Sequence, residues 1–128
     1  MINNADDIKF IKNGIGNWIS ENTQIIPISD DTYEIATTEI DSYGDTIYCF
    51  VKKMEDLYQI GDEGRILFKL DPGADDVDLY RTAEEIAIGA GFDFDEETCE
   101  ISVTTDKDNL VQAIIKLSQL QIAISYLG

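Results

Sequence analysis

The 128-residue sequence has no histidine, two cysteines, two prolines, one tryptophan, and nine lysines and arginines against 26 aspartates and glutamates. Without histidine the chain lacks the commonest general base, the partner that activates Ser and Cys nucleophiles, and the commonest transition-metal ligand, so most hydrolase templates do not apply. Cys49 and Cys99 stand far apart with no Cys-x-x-Cys pair and no companion ligands. That spacing argues against zinc and reads as two buried thiols in a reducing cytoplasm, a disulfide between them being the alternative. The shortage of bases leaves a formal charge of −17. Phosphate backbones and anionic lipid surfaces would bring like charge within a Debye length of about 8 Å, so direct nucleic-acid or membrane binding is disfavoured. No basic region followed by an apolar one opens the chain, and no apolar run nears the ~18 residues of a membrane span. The expectation is a soluble, cytoplasmic protein.

What is present is the composition of a folded domain: 44% hydrophobic and 27% charged residues, in a length that fits one domain spanning 1–128. Ile8, Ile11, Ile15, Trp18 and Ile19 recur at helical spacing from Asp6 to about Glu21, weakened by Gly14 and Gly16. Pro27 limits residues 24–28 to an edge strand or an extended lead-in. Tyr33–Ile40, Thr46–Val51 and Leu57–Ile60 read as strands, the first two joined by turn chemistry at 41–45. Arg65–Leu70 is expected as a fourth strand, with a short helix as the alternative. A helix opening at Asp78 places Leu79, Ala83, Ile86, Ala87 and Ala90 on one face and closes at Gly91. Residues 92–95 and 99–104 alternate as a small hairpin, and a long helix runs from about Asp108 to Tyr126. The fold class is α+β: an antiparallel sheet of about four to six strands packed with an N-terminal, a middle and a long C-terminal helix.

The acids are unevenly spread. Residues 71–100 hold eleven acids and only Arg81, whereas residues 101–128 carry no net charge. A merely soluble surface intersperses both signs, so one reading of this segment is a solvated face and the other a selected acidic field. Carboxylates at a density comparable to duplex DNA, one charge per roughly 1.7 Å of axis, would occupy a basic groove on another protein. The candidate contact residues are Asp75, Asp76, Asp78, Glu84, Glu85, Asp93, Asp95, Glu96 and Glu97, each a phosphate surrogate for an Arg or Lys. No catalytic residue, cofactor or metal is expected. Asp93, Asp95 and Glu97 alternate as in a calcium loop, but Thr98 and Thr104 stand where that loop needs Gly and Glu. The acid-x-Lys strand of a metal-dependent nuclease is missing after Asp45, and Asp7-Ile-Lys9 opens a helix with no strand acid before it. Neither Gly14-Ile-Gly16 nor Gly61-Asp-Glu-Gly64 continues as a phosphate loop.

In the final helix Leu110, Ala113, Ile114, Leu117, Leu120, Ile124 and Leu127 form one stripe, while Val111, Ile115 and Ile122 extend it beyond the ~100° a surface helix needs. The helix is thus a core element, a seat of self-association through Ile115 and Ile122, or both, in a monomer or a homodimer.

The run from Asp45 through Tyr58-Gln-Ile-Gly-Asp-Glu-Gly64, followed by Gly91-Phe-Asp-Phe-Asp, Cys99-Glu-Ile-Ser-Val and Asn109-Leu-Val-Gln-Ala-Ile-Ile-Lys-Leu-Ser, resembles a family of bacterial and phage proteins known only as a domain of unknown function. The resemblance covers roughly residues 30–125 and includes no catalytic motif. Many members continue into a second domain, so a chain ending at Gly128 is expected to be a stand-alone version. The family's occurrence on prophages implies an anti-defence role. The expected function is a non-enzymatic, anti-CRISPR-like inhibitor whose acidic surface mimics DNA and blocks the nucleic-acid groove of a basic host defence nuclease. The alternative is a structural or regulatory module that self-associates through its last helix.

Overall fold

The computed structural model describes residues 4–128. In chain order the elements are α1 (Asn4–Asn22), β1 (Gln24–Pro27), β2 (Thr32–Ile40), β3 (Thr46–Met54), β4 (Leu57–Gly61), α2 (Arg65–Leu70), α3 (Val77–Gly89), β5 (Asp93–Phe94), β6 (Ile101–Thr105), and a 3-10 turn at Lys107–Asn109 leading into α4 (Leu110–Ser125). The six strands form one antiparallel sheet in the order β1-β2-β3-β4-β6-β5. This is the α+β architecture expected from the order of periods.

Register decides which face is the core. Ile35 pairs with Cys49, Val51 with Ile60, and Ile60 with Val103, and because side chains alternate along a strand these residues share one face with Ile101. Ile35, Cys49, Val51, Ile60 and Ile101 are all buried there, against Ala113, Leu117, Leu120 and Ile124 of α4. The opposite face carries Lys52 and Thr104 exposed to water, as an antiparallel sheet allows, but Phe50 on that face is buried beneath the Arg65 guanidinium, 4.6 Å from its ring. Of the stripe read from the sequence of α4, Leu127 is exposed. Ser118, Gln121 and Ser125 are buried instead, and their polar atoms are satisfied: Gln121 Nε2 donates to Tyr48 O at 3.0 Å, and Ser125 Oγ accepts from Ser42 N at 2.9 Å. A buried amide tied to a strand carbonyl fixes the position of α4 along β3.

Arg65–Leu70, expected as a strand, is the helix α2. β4 already pairs with β3 on one side and β6 on the other, so the segment after it has no open edge to join. Gly64, at φ 73°, turns the chain out of the sheet, and a Cβ there would lie 2.6 Å from Thr98 O. Glycine is therefore required on both conformational and steric grounds.

α3 starts at Val77, one residue earlier than expected, because Asp76 caps it by accepting from Leu79 N at 3.0 Å. It ends in a Schellman motif, in which Phe92 N donates to Ala87 O at 2.9 Å and Gly91 N to Ile88 O at 3.0 Å, with Gly91 at φ 88°. Leu79, Ala83 and Ala87 are buried as anticipated; Ala90 is exposed. α1 forms over the expected residues and buries none of them.

Candidate functional site

The segment rich in acids folds into a loop, a helix and a hairpin at the β5 edge of the sheet. The loop is organised by its own carboxylates: Asp71 Oδ2 accepts from the N–H of Asp75 at 2.9 Å and of Asp76 at 2.8 Å, while Tyr80 donates its hydroxyl to Asp71 O at 3.1 Å. Across from it, Asp95 Oδ1 accepts from Glu97 N at 2.8 Å and Thr98 N at 3.1 Å, closing the turn between β5 and β6. The backbone donors of Thr98 and Glu97 hold the Asp95 carboxyl below its ordinary value.

Between these elements lies an open cleft of about 380 Å³, walled by Val77, Tyr80, Arg81 and Glu84 of α3 and by Phe94, Glu96, Glu97 and Cys99 of the hairpin. Of the nine candidate contact residues, Glu84, Glu96 and Glu97 meet at this cleft. Asp76 and Asp95 shape its surroundings through the backbone, and Asp75, Asp78, Glu85 and Asp93 are exposed away from its walls. Among the described residues the ion pairs are Arg65 with Glu34 and Lys69 with Asp41 and Asp45, so no carboxylate of residues 71–100 is paired. Eight of the eleven are exposed, with Asp71, Glu84 and Glu100 half-buried, so most of this charge meets water with no ion pair to offset it.

Two polar centres escaped the sequence reading. Asp62, fully buried, accepts from Gly64 N at 2.8 Å, Ile101 N at 2.9 Å and Ile66 N at 3.4 Å. It ties the start of α2 to β6. Burial raises its carboxyl above the ordinary value despite these donors. Glu100 is likewise raised, by burial first and then by the nearby charges of Asp62, Glu63 and Asp95. In the second centre, Lys69 Nζ donates to Asp41 Oδ2 at 2.6 Å and also to Asp45, and sits 5.1 Å from the Tyr43 ring. Asp41 is buried; burial opposes its charge, but Lys69 and the N–H groups of Asp45 and Tyr43 outweigh that and lower its carboxyl. Neither centre opens into the acidic cleft.

Both cysteines are free thiols, Cys49 buried and Cys99 half-buried. Burial pushes Cys49 up to about 11, eased only in part by its contacts with Ser118 and Gln121, and burial with the Asp62 and Asp95 charges raises Cys99. Neither thiol is poised as a thiolate near neutral pH. Among the described residues no group of three His, Cys, Asp or Glu side chains is placed to hold a metal, and no helix is long and apolar enough to cross a membrane.

A family model described as a domain of unknown function, DUF1828, matches residues 37–124. The chain belongs to the DUF1828 family. The match runs from the middle of β2 into α4, so the DUF1828 region holds the acidic cleft, Asp62 and the Asp41–Lys69 centre, while α1 and β1 precede it. No curated protein and no solved structure matches the chain.

Proposed function

We propose that the protein is a non-enzymatic binding module that presents its acidic cleft to a basic, nucleic-acid-binding protein and occupies the groove where that partner holds a phosphate backbone. One observation carries this reading: Glu84 on one wall and Glu96 and Glu97 on the other face a cleft where Arg81 is the cation, in a segment with no ion pairs among the described residues. Unpaired carboxylates on a rigid frame pay no ion-pair breaking cost when they meet Arg or Lys, and association with a basic groove would be fast and salt-sensitive. In its most specific form the module is a DNA-mimicking inhibitor of a bacterial defence nuclease, acting as anti-CRISPR proteins of mobile elements do, by competition rather than by chemistry.

The test is capture from bacterial lysate on the immobilised protein at low salt, followed by elution with duplex DNA. DNA-binding proteins should be retained and displaced by the duplex. The variant carrying Glu84→Lys, Glu96→Lys and Glu97→Lys should retain none of them while melting at nearly the wild-type temperature. Retained proteins that duplex DNA does not displace, or that the triple variant still holds, would refute the mimicry.

A further inference from the structure

α1 presents Ile8, Ile11, Ile15, Trp18 and Ile19 within an arc of about 100°, yet these side chains are 65%, 58%, 58%, 57% and 45% exposed. A helix of this length carrying two glycines is marginal in water unless its apolar face is packed. On the other side of β1, the helical layer over the sheet is incomplete. α3 and α4 lie over the centre and the β5 side, and α2 packs against α4 with Ile66 and Leu67 in the same core. What stays open is an apolar groove of about 300 Å³ over β1 and β2, lined by Ile25, Ile35, Val111, Ile114 and Ile115 among others. Ile25, Val111 and Ile115 are each more than half exposed.

The chain's own α1 does not fill this groove. Thr23 alone connects α1 to β1, and one residue reaches under 4 Å, whereas a helix lying on a sheet needs its axis about a helix diameter above it. Only the last turn of α1, through Ile19, reaches the groove wall. We infer that the occupant is α1 of a second copy, inserted reciprocally so that two chains complete each other's helical layer about a two-fold axis.

Area, charge and shape agree with this. At the exposures above, the α1 stripe and groove walls present on the order of 1,000 Å² of apolar surface per chain, against about 800 Å² per partner in a stable interface and about 300–600 Å² for the largest patch of an ordinary monomer. The surfaces involved carry little of the −17 charge: residues 4–28 hold three acids and two bases, α4 one base and no acid, and β2 adds Glu34 and Glu39. Glu39 on the groove wall is opposite in sign to Lys12, which flanks the stripe. A lipid surface would also accept an amphipathic helix, but the −17 charge disfavours anionic headgroups. The surface shares no residue with the acidic cleft, so the two readings stand or fall separately.

Sedimentation of the full chain should give twice 14.3 kDa at micromolar concentration, and the emission of Trp18, the single tryptophan, should move to the blue as the dimer forms. Ile15→Asp, on the stripe, and Val111→Asp, in the groove, should each weaken dimerisation at least tenfold while leaving the melting of the isolated fold nearly unchanged. A monomer at all concentrations, or a dimer that survives either substitution, would overturn the exchange. So would a blue shift on neutral vesicles without dimer formation, which would assign the stripe to lipid.

Discussion

Asp62 illustrates how one buried carboxylate can hold a junction at a cost. Replacing it by Ala leaves the N–H groups of Gly64, Ile66 and Ile101 without their acceptor and is expected to destabilise by roughly 2–4 kcal/mol. Asp62→Asn keeps an oxygen for Gly64 and Ile101 and removes the charge. Because the folded-state value of Asp62 is raised above 3.8, the folded protein binds the proton that the unfolded chain has lost, and stability falls as pH rises from there through the folded value. Urea melts across pH 3–7 should therefore show Asp62→Asn gaining on wild type as pH rises. Asp41 has the opposite sign: its folded value is lowered, so its contribution is complete above the unfolded value near 3.8 and disappears as pH falls through the folded one. Lys69→Met should remove most of that acid-side dependence and cost about 1–2 kcal/mol at neutral pH, given that Lys69 is partly solvent-exposed. In the sequence, Asp62 looks like any acid in a Gly-flanked turn. One of its donors is the N–H of Ile101, 39 residues away, and no local pattern announces the buried site.

At the scale of elements, local chemistry decided what periodicity left open. α1, α3 and α4 were legible because their apolar residues repeat at helical spacing over many turns, and β2, β3 and β6 because β-branched residues cluster between turn signals. α2 was not, since six residues do not reveal a period and the deciding fact, a sheet position already filled by β6, is tertiary. The same applies to the cleft: the acidic segment was visible as a composition, but the meeting of Glu84 with Glu96 and Glu97 depends on α3 docking beside the hairpin. Gly64→Ala tests the α2 junction, combining a left-handed backbone with a 2.6 Å approach to Thr98 O. It should cost more than about 2 kcal/mol in chemical denaturation, whereas Gly91→Ala, strained only in φ with open space around its Cβ, should cost about 1 kcal/mol.

Over the whole molecule, charge is graded across the sheet. β5 and its hairpin carry the unpaired acids at one edge, and β1, at the other end of the strand order, forms the second edge beside the nearly neutral α1. Added salt should accordingly stabilise the fold by screening the self-repulsion of residues 71–100, and thermal melts of the Glu84, Glu96 and Glu97 charge-reversal variant should show a smaller rise with salt than wild type. The one-residue connection at Thr23 has a consequence for this gradient. By holding α1 off its own sheet, it would direct association to the β1 edge, so a pair of chains joined there would carry its two acidic clefts at opposite ends. Such a pair is bivalent: a partner or array of partners offering two basic grooves within its span would be held at an effective concentration neither cleft alone can reach, strengthening apparent affinity by about 10²–10⁴-fold, and Val111→Asp would remove that gain without touching a single acidic residue.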